Sequence, residues 1–290
     1  MIKKCTLKDL KQLTELAYKI NNEEHHNSAF CCLDYESIEK DFSYMLSEDV
    51  EHSIIGYYIE DKLIGMIGLF LGEVGDRVDC VGPFVYSDYD SIAPKLVQAA
   101  EEAYSDSQTL VFYFNSKNED CLRLMHTIGA MDHGNEMRLS LMRKDFTMRD
   151  DLEKVIPLPD EYKAELIQLH DLICPGMYIS GNGIVKSLGH DREAYCIIKN
   201  DKLIAYGILQ TFSSGTSVMA EIIAVEESHR GIGYGRAIVN ELIRQAFKNS
   251  LITNVDLIVD NVNSKAISLY SSFGFKLKVE NFNYIKNINK

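Results

Sequence analysis

Seven consecutive residues, Arg230-Gly231-Ile232-Gly233-Tyr234-Gly235-Arg236, have the composition of an anion site. They follow an apolar run, Ala220-Glu221-Ile222-Ile223-Ala224-Val225, that reads as a buried strand. They precede Ala237-Ile238-Val239-Asn240-Glu241-Leu242-Ile243, whose apolar residues recur at helical spacing. A helix start leaves backbone N–H groups without partners and carries the positive end of the helix dipole. Glycines let a bulky anion reach those amides, and two arginines add charge. The chemistry expected here is the holding of a phosphate. A P-loop is excluded, because no GxxxxGK run followed by Ser or Thr occurs. A dinucleotide fingerprint fails too: the residue three after Gly233 is Arg236, and the turn comes late in its domain instead of first. A kinase glycine loop would lie between hairpin strands, not ahead of a helix.

The elements around this turn occur twice in the chain. Asp61-Lys62-Leu63-Ile64 recurs 140 residues on as Asp201-Lys202-Leu203-Ile204. In each copy the Asp-Lys pair turns one strand into the next, Ser53–Ile59 into Leu63–Leu71 and Glu193–Lys199 into Leu203–Phe212. Further on, Asn118–Gly129 parallels Asn263–Gly274, 145 residues on, with Asn at a helix N-cap and Gly just past the helix end. Between them Cys121, Leu124, Met125 and Ile128 match Ala266, Leu269, Tyr270 and Phe273. A strand precedes each helix, Thr109–Phe114 and Asn254–Val259. The chain therefore reads as an α/β (α+β) protein of two tandem copies, each a mixed, mostly antiparallel sheet flanked by helices. The first copy spans 1–145 and ends in the strand Met137–Met142. Residues 146–159 read as an exposed linker, and the second copy spans 160–290.

Composition narrows the function. The net charge of −13 is uneven: residues 1–150 carry 15 Lys and Arg against 27 Asp and Glu, whereas residues 151–290 carry 15 against 16. An acidic half disfavours nucleic acid and anionic membrane as partners; it suits a cationic substrate or serves only as a solvated surface. The N-terminus has no apolar signal core, and no stretch approaches the roughly 18–20 apolar residues of a membrane span. A soluble, cytoplasmic protein is expected, as monomer or homodimer. Seven cysteines, at 5, 31, 32, 80, 121, 174 and 196, include no CxxC pair, which argues for reduced structural thiols. His25-His26 near Cys31-Cys32 fits no common ligand spacing, so no metal is expected.

The glycine turn and the later helix together resemble the GCN5-related N-acetyltransferase (GNAT) family. The family's acetyl-CoA loop, Q/R-x-x-G-x-G/A, is matched by Arg230 to Gly235, and its later motif resembles Asn263 to Phe275, in the same order and at a similar separation. The resemblance covers residues 155–290 well and residues 1–145 as a weaker copy. It implies that the anion is the pyrophosphate of acetyl-CoA, held by amides of residues 231–236 (Gly231, Ile232, Gly233, Tyr234, Gly235, Arg236) and by Arg230 or Arg236. It implies that the strand Glu221–Val225 splays from its neighbour, so that backbone groups of Ile223 and Val225 pair with the pantetheine arm. An N–H near Ala224 or Val225 would then polarise the acetyl carbonyl. Tyr270 falls at the position of the family's proton donor to the departing thiolate, and Asn263 faces the cofactor arm; a packed core tyrosine is the alternative.

The reaction so implied is attack of a primary amine on a thioester, with acetyl-CoA as donor and a small molecule or a protein as the amine-bearing acceptor. An amine attacks only when neutral, so a base is needed. Glu221, a carboxylate in an apolar strand where its pKa would rise, is the candidate; otherwise it points to solvent or binds a substrate ammonium. The first copy departs from the pattern. A shift of 140 sets Ile232-Gly233-Tyr234-Gly235 against Ile92-Ala93-Pro94-Lys95, and a shift of 145 sets Tyr270 against Met125. A degenerate first domain is expected. On the acceptor side, Tyr178 and His190 are candidate contacts, His170 and Asp171 lie nearby, and Ser180-Gly181-Asn182-Gly183 reads as a mobile lid. The competing function is a non-catalytic acyl-CoA sensor on the same fold.

Overall fold

The computed structural model describes residues 1–47, 51–72, 77–105, 109–175, 177–211 and 217–288. Strands and helices follow one another in the same order twice. The first run is β1 (Ile2–Lys4), α1 (Leu10–Asn21), α2 (Tyr35–Met45), β2 (Ser53–Ile59), β3 (Lys62–Leu71), β4 (Arg77–Val85), α3 (Tyr89–Ala103), β5 (Thr109–Asn115), α4 (Glu119–Ile128) and β6 (Met131–Met142). The second is β7 (Ile156–Pro157), α5 (Lys163–Ile173), α6 (Gly181–Ser187), β8 (Arg192–Lys199), β9 (Lys202–Thr211), β10 (Ser217–Val225), α7 (Tyr234–Ala246), β11 (Asn254–Asp260), α8 (Ser264–Ser271) and β12 (Lys276–Asn287). Phe212, where the sequence puts the end of β9, lies outside the described residues.

The repeated Asp-Lys step has a backbone cause. Glu60 and Asp61 join β2 to β3, Asn200 and Asp201 join β8 to β9, and all four take positive φ (47°, 65°, 51° and 58°). Two left-handed residues in succession give a turn whose twist matches that of its flanking strands, and short polar residues tolerate it best.

The chain forms two compact units that are not consecutive stretches: Met1–Glu136 with Val279–Lys290, and Met137–Lys278. The boundaries read from the sequence gave each copy its own last strand. In the structure β12 pairs antiparallel with β5, from Asn281↔Asn115 to Asn287↔Thr109, and β6 is the neighbour of β11. The two strands occupy equivalent places in the two copies, so their local pattern does not dictate which unit each joins.

In the first unit the sheet order is β1-β2-β3-β4-β5-β12, antiparallel except for β4–β5. Helices α1 and α2 cover one face around Leu13, Ile38, Phe42 and Phe84, and α3 and α4 cover the other around Leu96, Phe112 and Leu124. In the second unit the order is β7-β8-β9-β10-β11-β6, with β10–β11 parallel. Here α5 and α6 pack on Tyr206, Ile208 and Ile222, and α7 and α8 on Ala220, Val255 and Leu257. Each buried Leu or Ile side chain stabilises its layer by roughly 1.5–3 kcal/mol.

Residues 146–159 are less free than an exposed linker would be. Phe146, Leu152 and Val155 join the α7–α8 core. Arg149 N donates to Asn240 Oδ1 (3.2 Å), Asn240 Nδ2 donates back to Arg149 O (3.1 Å), and Ile156 and Pro157 pair with β8. No helix among the described residues is long and apolar enough to cross a membrane.

Candidate active site

Strand β10 pairs with β11 only from Ser217↔Asn254 to Met219↔Asp256, although β10 runs on to Val225 and β11 to Asp260. Beyond that point the two strands part. On its other side β10 stays on β9 to Val225↔Ala205, and Glu226 N donates to Ile204 O at 2.8 Å. Antiparallel strands alternate in the edge to which a residue's N–H and C=O point. Counting back from Glu226, Ala224 and Ile222 face β9, whereas Ile223 and Val225 face the parted edge. Of the two N–H groups expected near an acetyl carbonyl, Val225's therefore points into the gap and Ala224's is spent on β9.

The glycine turn closes the end of this gap. Gly231 has φ 85°, and Gly233, the N-cap of α7, has φ 102°. Both are left-handed, which glycine adopts freely and which strains other residues. The N–H groups of Tyr234, Gly235 and Arg236 open the helix and have no partner within it. Arg230 Nε donates to Val225 O (3.0 Å), tying the turn to the end of β10. Gly231, Ile232 and Gly233 are exposed; Tyr234, Gly235 and Arg236 are half-buried.

Glu221 owes its place to a bulge. The register runs Ala220↔Leu209 and then Ile222↔Ile208, so Glu221 is an extra residue in β10. Val218 and Ala220 pack on the α7–α8 side, while Ile222 and Ala224 pack on the α5–α6 side. A bulge reverses the alternation of a strand and re-aims a side chain. Here it turns Glu221 towards Tyr178 and Arg192. Arg192 Nε and Nη2 donate to Glu221 Oε2 and Oε1 at 2.8 and 2.7 Å, and the Tyr178 hydroxyl donates to Oε1. The Glu221 side chain is 1 % exposed and that of Arg192 is 11 % exposed. The sequence placed Glu221 in apolar surroundings; the partner that answers its charge lies on β8, distant in sequence. The hydrogen bonds that it donates to Glu221 hold Arg192 firmly charged. Loss of solvent around the hydroxyl, then the charge of Glu221, raise the Tyr178 pKa, so Tyr178 keeps its proton.

Tyr270 is buried on α8 in one core cluster with Leu257 and Phe273, and burial pushes its pKa up to about 12. Among the described residues its hydroxyl makes no hydrogen bond. Asn263 caps α8 by accepting from Ala266 N (3.1 Å), as Asn118 caps α4 by accepting from Cys121 N (2.9 Å).

Several neighbours differ from their sequence reading. Ser180 to Gly183 is the start of α6, not a loose lid: Ser180 Oγ accepts from Gly183 N (3.1 Å) and Asp171 Oδ1 from Gly181 N (2.8 Å). A Cβ on Gly181 would lie 2.6 Å from Ile167 Cα, so glycine here marks close packing. His170 is buried between Tyr206 and the carbonyl of Ile179. Cys31 is buried, Cys32 donates to Asp41, and His26 lies beside Asp120 and Glu23.

The first unit has the same parted strands and fills them itself. Its β4–β5 pairing ends at Cys80↔Phe112. Ala29 N then donates to Tyr113 O (2.7 Å) and Asn115 N to Asn27 O (3.2 Å) on β5, and Gly82 N of β4 donates to Ser28 Oγ (3.1 Å). Buried Asn21 fixes this insert by accepting from Ser28 N at 2.7 Å. Only residues 86–88 separate β4 from α3, whereas 226–233 separate β10 from α7. The structural equivalent of Gly233 is therefore Asp88, left-handed at φ 58°. The shift of 140 that set Gly233 against Ala93 breaks down after β4, because the glycine turn is five residues longer. Pro94 lies inside α3.

Residues 159–275 match the model of the Acetyltransferase (GNAT) family, and that part of the chain is a GNAT-family domain. Members of the family generally transfer an acyl group, with acetyl-CoA as cosubstrate. Over its whole length the chain has a tandem GNAT fold. It superposes on a GCN5-related N-acetyltransferase from Sphaerobacter thermophilus with a TM-score of 0.79, at 13% identity over 100% of this chain and 96% of that one. A tandem GNAT protein from the clavulanic acid biosynthesis pathway gives 0.73 at 13% identity, over 100% and 99% of the two chains. A glucosamine N-acetyltransferase region in a fungal multi-domain β-N-acetylglucosaminidase gives 0.77 at 15% identity, over 98% of this chain and 38% of that one. At these identities the likeness is one of fold. No curated protein matches the chain in sequence.

Proposed function

We propose that the protein is an N-acetyltransferase that moves acetyl from acetyl-CoA to a primary amine, at one site in its second unit. The observation that carries this reading is the parted edge of β10, which ends on the glycine turn. The N–H groups at the start of α7, with Arg230 and Arg236, hold the pyrophosphate. Backbone groups of Ile223 and Val225 pair with the pantetheine arm, with Asn263 beside it. The Val225 N–H stabilises the charge that develops on the acetyl oxygen. As the amine nitrogen bonds to the acetyl carbon, the carbon–sulfur bond breaks and Tyr270 gives its proton to the leaving sulfur. Its raised pKa keeps that proton in place at neutral pH. Glu221, enclosed by Arg192 and Tyr178, serves as base through an intervening group. The first unit, with its gap filled and an acidic residue at its helix start, is a degenerate copy.

Acetyl-CoA is expected to raise the melting temperature, and a panel of primary amines is expected to show at least one that releases free CoA. Tyr270→Phe should then lower kcat by about a hundredfold or more while acetyl-CoA affinity holds. Acetyl-CoA binding with no amine turned over would replace the enzyme by a sensor; no binding at millimolar ligand would end the acyl-CoA reading.

A further inference from the structure

Glu221 has one neighbour that meets solvent freely. Its carboxylate is covered by Arg192, whose third donor, Nη1, is spent on Asp191 Oδ2 at 3.0 Å. Tyr178, 59 % exposed, stands on the remaining side and donates its hydroxyl proton to Glu221 Oε1. An acceptor coming from solvent therefore meets Tyr178 before Glu221. A phenol has one proton to give and two lone pairs to offer. With its proton committed to Glu221, Tyr178 faces the acceptor as a hydrogen-bond acceptor only. Resting on the acetyltransferase reading, we propose that Tyr178 is the residue that binds the acceptor amine: its phenolic oxygen accepts an N–H from the incoming nitrogen, and the Arg192–Glu221 pair sets the direction of that oxygen.

Two further features fit this role. Asp191, Arg192 and Glu221 together leave one negative charge behind the phenol, which selects a cationic nitrogen over an alcohol or a carboxylate. The loop that carries Tyr178 is anchored one residue on. Ile179 O accepts from His170 Nε2 (2.9 Å), which leaves His170 Nδ1 to accept from the Tyr206 hydroxyl (2.7 Å). A histidine 1 % exposed thus fixes a surface tyrosine to the core.

The experiment is a steady-state comparison of the full-length wild type with Tyr178→Phe. The acceptor is whichever primary amine of a panel (a diamine, an arylalkylamine, an amino sugar, a peptide with a free N-terminus) gives the fastest CoA release. Removing the hydroxyl should raise the KM for the amine about tenfold or more, as for loss of a hydrogen bond to a charged group. The KM for acetyl-CoA should stay within about twofold, because the hydroxyl that is removed bonds Glu221 and not the cofactor turn. A general loosening of the fold would move both constants together. An unchanged amine KM in Tyr178→Phe, with wild-type turnover intact, would overturn this proposal alone. Failure of every amine with the wild type would instead remove the acetyltransferase reading and this one with it.

Discussion

Arg192 on β8 and Glu221 on β10 are joined by two hydrogen bonds, and both side chains are almost wholly removed from water. Such a pair is costly to break from one side, because the remaining charge stays buried without an answer. Arg192→Met is therefore expected to lower the unfolding free energy by about 3–5 kcal/mol. Arg192→Met with Glu221→Leu should recover most of that loss, since neither charge is then stranded. Urea unfolding of the three proteins decides the point. Equal losses in the single and double variants would show that the cost lies in packing and not in the stranded carboxylate.

The glycine turn separates positions that need glycine from one that does not. At φ 102° a side chain on Gly233 is strained by about 1–2 kcal/mol. Relieving that strain moves the N–H groups that open α7, so Gly233→Ala is expected to weaken acetyl-CoA binding about tenfold. A Cβ on Gly235 would meet Leu269 Cδ2 at 3.7 Å and Val225 Cγ2 at 3.8 Å, which is ordinary contact. Gly235→Ala should hold its affinity within about twofold and gain slightly in helix stability. Calorimetric titration with acetyl-CoA tests both, and the reverse order would contradict the geometry.

Local chemistry made much of this legible in the sequence. The Asp-Lys turns, the Asn caps at Asn118 and Asn263 and the glycine-rich helix start are each fixed by a few adjacent residues. What was not legible depended on partners distant in sequence. The bulge at Glu221 appears only when β10 is laid against β9, and Arg192 lies 29 residues before the carboxylate it clamps. The exchange of β6 and β12 between units is invisible because the copies place equivalent strands there. Ser180 to Gly183 looked mobile by composition, and only the approach of Ile167 shows why Gly181 is small.

Asp256 gives the second unit a pH dependence whose sign follows from its surroundings. Its side chain is fully buried, which by itself would raise its pKa. The hydrogen bond from Ser140 and the charges of Arg138 (2.7 Å) and Lys278 (3.2 Å) outweigh that and leave the pKa lowered. A carboxylate with a folded pKa below its unfolded value near 3.9 adds stability above that value. The contribution is lost as pH falls through the folded value. Asp256→Asn should cost roughly 1.5–3 kcal/mol at neutral pH. The gap between variant and wild type should stay level down to about pH 5 and narrow below about pH 4. Urea unfolding across this range checks it, and a gap that widens in acid would contradict the assignment.

The contrast between the two units sets how many acetyl-CoA molecules one chain takes. Two properties of the first unit oppose a second site. The gap beside β4 that an arm would use is filled by the chain's own residues 27–29, bonded to β5 and, through Ser28 Oγ, to Gly82 of β4. The start of α3 carries Asp88 and Asp90 where the start of α7 carries Gly233 and Gly235, and a carboxylate there repels a pyrophosphate. Calorimetric titration of the full chain with acetyl-CoA is therefore expected to saturate at one molecule per chain. Arg236→Glu, which puts an acidic residue at the start of α7, should remove that binding altogether, not halve it. A stoichiometry of two, or a second binding event that survives Arg236→Glu, would mean that the insert from Asn27 to Ala29 yields its place and that the first unit is a working site.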